Sequence, residues 1–198
     1  MHGASLPWIA SPLAGVDRRP LYRVGGEQAR ATSLVRYAPG SHFSAHLHSG
    51  GEEFLVLEGV FEDEHGHYPV GSYVRNPPGS QHTPGASSGC MIFVRLRQFH
   101  PDDREPCVTQ LRAEGSQRLF ENEHERVWLE DIQAGTGLRL DNSRGLEMFV
   151  LEGELMGTGF RLVPLSWMRL PPGTPLEASA GAAGARIWFK DAAPDLGL

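Results

Sequence analysis

The chain repeats itself. Glu53-Phe54-Leu55-Val56-Leu57-Glu58-Gly59 returns as Glu147-Met148-Phe149-Val150-Leu151-Glu152-Gly153, and Arg75-Asn76-Pro77-Pro78-Gly79-Ser80 returns as Arg169-Leu170-Pro171-Pro172-Gly173-Thr174. Both pairs are offset by 94 residues, so two separate motifs keep one register. Duplication of a whole folding unit produces that pattern; chance does not. A third pair, Ile92-Phe93-Val94-Arg95 and Ile187-Trp188-Phe189-Lys190, is offset by 95, which places one extra residue in a loop of the second copy. The chain therefore reads as two copies of one small unit, residues 1–100 and 101–198, with the Asp-, Arg- and Pro-rich stretch 99–106 as the linker.

Each copy reads as short strands. Residues 32–37 are β-branched and aromatic, and 54–57 form a continuous apolar run, as a strand buried on both faces would. Gly59 and Gly71 bracket a polar hairpin, Asp63-Glu64-His65-Gly66-His67. Turn formers are abundant and distributed, with 24 Gly and 15 Pro. Helical periodicity is weak, and only 116–125 reads as a short turn or helix. An all-β chain with strands every eight to twelve residues implies a sandwich or a closed barrel.

Charge and composition exclude several classes. The net charge is −6, Lys190 is the only lysine, and no Lys/Arg cluster in the sequence supplies the basic face a nucleic-acid binder normally shows, so a nucleic-acid partner is disfavoured. The apolar runs fall far short of the roughly 20 residues that span a bilayer. Residues 1–8 lack the pattern of a secretory signal. Cys90 and Cys107 form no Cys-x-x-Cys pair and no disulfide framework. A cytoplasmic protein without a nucleic-acid or membrane partner is expected. A homodimer is compatible with the sequence, which does not fix the oligomer.

The residues that carry chemistry lie between Gly40 and His82. His46 and His48 are two apart, which on a strand puts both imidazoles on one face. Glu52 follows a Gly50-Gly51 turn that can return the chain to that face, and His82 arrives behind Pro77-Pro78-Gly79. Three imidazoles and a carboxylate suit Zn, Fe, Ni, Cu or Mn. One divalent transition metal per chain is expected.

This stretch resembles the two cupin motifs. Gly40, His46, His48, Glu52 and Gly59 match the first. Gly71, Pro77, Gly79 and His82 match the second, with Ala86 where asparagine is usual. The run from Gly50 to Phe61, then Asp63-Glu64, Tyr68 and 75–80, is similar to the cupin domain of ChrR-type anti-sigma factors. The resemblance is close over residues 6–100. It implies two tandem cupin, jelly-roll-like barrels. It also implies that His46, His48, Glu52 and His82 are metal ligands, with zinc the usual ion and iron, nickel or manganese also suited. The His-x3-Cys-x2-Cys zinc signature that grips the sigma factor in that family is missing, so direct sigma binding is not expected. At the repeat offset the four ligands become Leu140, Asn142, Leu146 and Leu176, so the second barrel is expected to hold no metal and to be either a structural barrel with a filled interior or a pocket for an apolar ligand.

Two functions follow. One is a stress- or small-ligand-sensing module. The other is a mononuclear dioxygenase acting on a small diketone or a hydroxyacetophenone-like compound. Phe54 and Val56 share parity with Glu52, and His42 lies near the mouth; these three are the expected pocket residues, and no catalytic residue is identified. His65 and His67 are expected in a solvated turn. Glu53, Glu58 and Arg75 recur as Glu147, Glu152 and Arg169, and structural ion pairs or hydrogen bonds are expected of them. Cys90 is expected to be a buried, inert thiol.

Overall fold

The computed structural model describes residues 1–26 and 28–193. Nearly all regular structure is antiparallel β, and it divides into two compact units, 7–111 and 1–6 with 112–198. Each is a cupin-type barrel. No helix is long and apolar enough to cross a membrane.

In the first unit, strands Val16–Val24, Arg30–Tyr37, Cys90–Leu96 and Glu52–Asp63 lie side by side, and Ser72–Asn76 pairs with the start of Glu52–Asp63. A short two-stranded sheet, His46–His48 with Ser80–His82, carries the histidines. Val35, Phe54, Val56, Phe61, Tyr68, Ile92 and Val94 form the core. In the second unit, Glu125–Ile132, Leu176–Ala192 and Leu146–Gly157 make the central ribbon. Gln117–Glu121 pairs with its edge, so 116–125 is a strand and turn rather than a helix. Arg118 and Phe120 bracket a bulge there, which blurs the alternation a strand normally shows.

The repeated glycine has a steric reason. Gly59 and Gly153 both have φ near +70°, and a Cβ there would lie 2.0 Å from Gly89 O and 2.1 Å from Gly184 O. Each is the point where the long strand bends and its partner strand crosses closely. Glu53 is fully buried and accepts from Tyr73 and Arg95. Its counterpart Glu147 accepts from Trp167 Nε1 and Arg169, each at 2.7 Å. The retained carboxylates are thus structural, and each needs its donors because a lone buried charge would be strongly destabilising. Glu58 and Glu152 differ from expectation: both are exposed and make no ion pair among the described residues.

The stretch 99–106 is not a free linker. Arg75 is fully buried, donates to Asp103 Oδ2 and Glu105 O at 2.6 Å each, and lies 4.6 Å over the Phe99 ring. This clamp carries the chain into strand Cys107–Gln110, which pairs with Ser72–Asn76. The boundary therefore falls at Leu111, and residues 1–6 join the second unit through Met1, His2 and Gly3, which bond to Trp167, Ser166 and Leu165.

Candidate metal centre

The antiparallel pairing sets His46 directly across from His82, and His48 two residues along on the same face. Their ring nitrogens come together, one from each within 4.8 Å of the others. Glu52 opens the adjoining long strand, and its Oε2 lies 3.4 Å from both His48 Nε2 and His82 Nε2. Asn76, its neighbour across the strand pair, donates to the same oxygen at 3.3 Å. The turn between His48 and Glu52 is held by Gly51 N–H to His48 O, and Phe99 packs against the bare Gly51 backbone, so the clamp at Arg75 buttresses the centre from behind.

The rings are oriented. His46 Nδ1 is 3.2 Å from Ser44 O, and His82 Nδ1 is 3.2 Å from Asp63 Oδ2. Both contacts leave Nε2 for the centre. His48 is buried and its Nε2 has no hydrogen-bond partner; Glu52 Oε2 is near but forms no hydrogen bond with it. A buried polar atom left this way costs on the order of 1–3 kcal/mol. A cation among these donors would remove that cost. Burial, reinforced by the charges of His82, His46 and Arg97 against that of Glu52, holds the His48 pKa down, so its imidazole is neutral and its lone pair available. At His82 burial acts downward too, but the hydrogen bond to Asp63 and the charges of Glu52 and Asp63 raise its pKa. Burial raises Asp63, while hydrogen bonds from His82, the His65 N–H and Tyr68 outweigh it and keep the carboxyl ionised.

Asp63 belongs to the site, although it reads in the sequence only as part of a polar turn. Its spacing from the ligands carries no motif; the hairpin brings it to His82. Carboxylate–imidazole pairs of this kind fix the tautomer of a ligating ring. Beside the centre opens a cleft of roughly 810 Å³. His42 lines it, with Tyr37 and Phe43. Phe54 and Val56 do not: they face the same interior as Glu52 but are buried in the core, Phe54 packing on Phe61 at 4.6 Å. His65 and His67 are both exposed, His65 in the turn as expected and His67 on strand Gly66–Pro69.

The second barrel keeps the register and loses the donors. Leu140 pairs with Leu176 as His46 does with His82. Leu146 and Leu176 are buried in the core. Asn142 turns to the backbone, donating to Leu170 O, Pro171 O and Thr174 O and accepting from Gly145 N–H.

The family of the ChrR cupin-like domain matches residues 1–100. No curated protein is significantly similar. Among solved structures, a candidate dioxygenase from Nostoc punctiforme is 16% identical with a TM-score of 0.75, over 99% of this chain and 79% of its own. Pirin YhhW from Escherichia coli, solved with nickel(II), is 12% identical with a TM-score of 0.75, over 98% and 97%. Ylba from E. coli is 16% identical with a TM-score of 0.74, over 100% and 92%. At these identities the likeness is one of fold.

Proposed function

Because the chain belongs to the ChrR cupin-like domain family, we propose that its first barrel holds one divalent transition-metal ion on His46, His48, Glu52 and His82 and binds a small molecule beside it, as a sensing or regulatory module. The observation that carries this reading is the buried, unpartnered His48 Nε2 facing two more imidazoles and a carboxylate. Zinc is the first expectation, with iron, nickel or manganese suited to the same donors. The ion would supply Lewis acidity to an oxygen of the bound molecule. The chain's own contributions are separate from it. Asp63 fixes the His82 ring, Asn76 fixes Glu52, and Tyr37 and Phe43 wall the cleft.

A second reading is a dioxygenase acting on a small diketone or hydroxyacetophenone-like compound. The exposure of His46 and a cleft that reaches His46, His48 and Glu52 favour it, since a substrate could approach the ligand atoms from that side.

Elemental analysis of purified protein should find about one ion per chain, bound with the ligands deprotonated. His48→Ala with His82→Ala should abolish it, and metal retained by that double variant refutes the assignment. Loading with Fe(II) under anaerobic conditions, followed by oxygen and a diketone and hydroxyacetophenone panel, separates the readings. Oxygen uptake identifies the enzyme; silence with iron alongside tight zinc occupancy identifies the module.

A further inference from the structure

The cleft beside the centre is cationic in a chain that is acidic. Among the described residues its lining includes three arginines, Arg18, Arg23 and Arg97, and one carboxylate, Glu52, while the whole chain carries −6. Arg18 and Arg23 come from strand Val16–Val24, on the face whose neighbours across Arg30–Tyr37 are Val35 and Ala31. Ala31 and Ser33 are small there, which leaves room between the arginines and the histidines.

These arginines differ from the carboxylate-paired arginines of the same barrel. Arg36, Arg75 and Arg95 each hold a carboxylate, of Asp17, Asp103 and Glu53. Arg18 has no ion pair or hydrogen bond among the described residues. Arg97 donates to Ser49 Oγ, in the turn between the proposed ligands His48 and Glu52, and Arg23 to Gly26 O. Neither has a carboxylate partner among the described residues. Arg97 is also held at φ +58°, with its N–H on Gly51 O. A bulky residue held in the left-handed region beside a site is strain that the surrounding structure maintains. The charge of Arg97 bears on the His48 ring, and those of Arg18 and Glu52 both bear on the Tyr37 hydroxyl, so the arginines flank the centre electrostatically. Guanidinium is the side chain best matched to a planar carboxylate, and a cleft with an excess of one sign of charge concentrates the opposite ion.

We propose that the molecule this cleft takes is a small organic carboxylate, its charge met by Arg18 and Arg97 and its apolar body by Tyr37 and Phe43 next to the histidines. The proposal rests on the metal-site reading above and narrows it to one ligand class. Both hypotheses above involved ligands left open or neutral; this one requires an anion.

The test compares acetate, butyrate and benzoate with their amides, by calorimetry on zinc-loaded protein whose metal content is measured in every sample. At least one acid should bind about tenfold more tightly than its amide, as a charge-assisted contact implies. Arg18→Gln should erode that preference without changing zinc content, Arg97→Gln should erode it per zinc-loaded chain, and Arg18→Lys should keep part of it. Equal binding of acid and amide, or binding of neither, overturns the proposal. So does a preference that survives the Arg18→Gln/Arg97→Gln double variant, because the ion alone would then be reading the charge. Protein that takes up no zinc fails the earlier reading, a result recorded by the metal analysis independently of the calorimetry.

Discussion

Asp63→Asn is the sharpest probe of the centre, because it changes one atom and leaves every proposed ligand in place. Asp63 Oδ1 accepts from His65 N–H at 2.8 Å, Gly66 N–H at 3.1 Å and the Tyr68 hydroxyl at 3.2 Å, which leaves Oδ2 for His82 Nδ1. When His82 Nε2 faces a cation, Nδ1 must carry the proton and donate. An asparagine cannot serve both sides. With its amino group toward His82 two donors oppose each other; flipped, the amino group faces three donors in the turn. Loss of such a partner typically costs 10–100-fold in metal affinity, about 1.4–2.8 kcal/mol at 1.4 kcal/mol per tenfold. Competition for zinc against a chromophoric chelator measures it, with His82→Ala as the benchmark for a lost ligand and a thermal melt to show that the variant is folded. Zinc affinity within twofold of the wild type in a folded Asp63→Asn protein would refute the claim that Asp63 orients the ring.

Three further outcomes follow from the packing. Burial pushes the Cys90 thiol up to about 12, so at pH 8 only about one molecule in ten thousand carries the reactive thiolate there; a thiol reagent should titrate Cys107 in native protein and reach Cys90 only after denaturation, and rapid labelling of both would contradict its burial. Gly153→Ala should lower the melting temperature markedly, since the new Cβ would lie 2.1 Å from Gly184 O at φ +70°; an unchanged melt would show that the strand crossing is loose. Leu176→Ala removes a fully buried side chain of the second core and should cost about 2–5 kcal/mol, read as loss of denaturant resistance, while zinc content of the first barrel stays the same.

The repeat made the architecture legible, because a register kept over two motifs demands two copies of one unit. The four proposed ligands were legible because strand periodicity and the glycine turns announce which side chains share a face. The leucines at the same offsets foretold a packed second interior, and Leu140, Leu146 and Leu176 fill it. What escaped was set by tertiary placement. Asp63 reads as a turn residue until the hairpin is folded against His82. The composition of 99–106 reads as a linker, but the buried Arg75 guanidinium recruits Asp103 and the Glu105 carbonyl, which a pattern of single residues cannot display. Phe54 and Val56 point inward as parity implies; parity says which face a side chain takes, not whether aromatic neighbours cover it. The cleft arginines were invisible because a strand arginine is ordinary, and only the lack of a carboxylate partner for Arg18 among the described residues gives it meaning.

With leucine where its twin carries histidine, the second barrel is an internal standard. Stripping a cation can loosen only the copy that binds one. On the proposed reading, a melt with and without chelator compares a responsive fold with an indifferent one, at equal concentration, in a single tube.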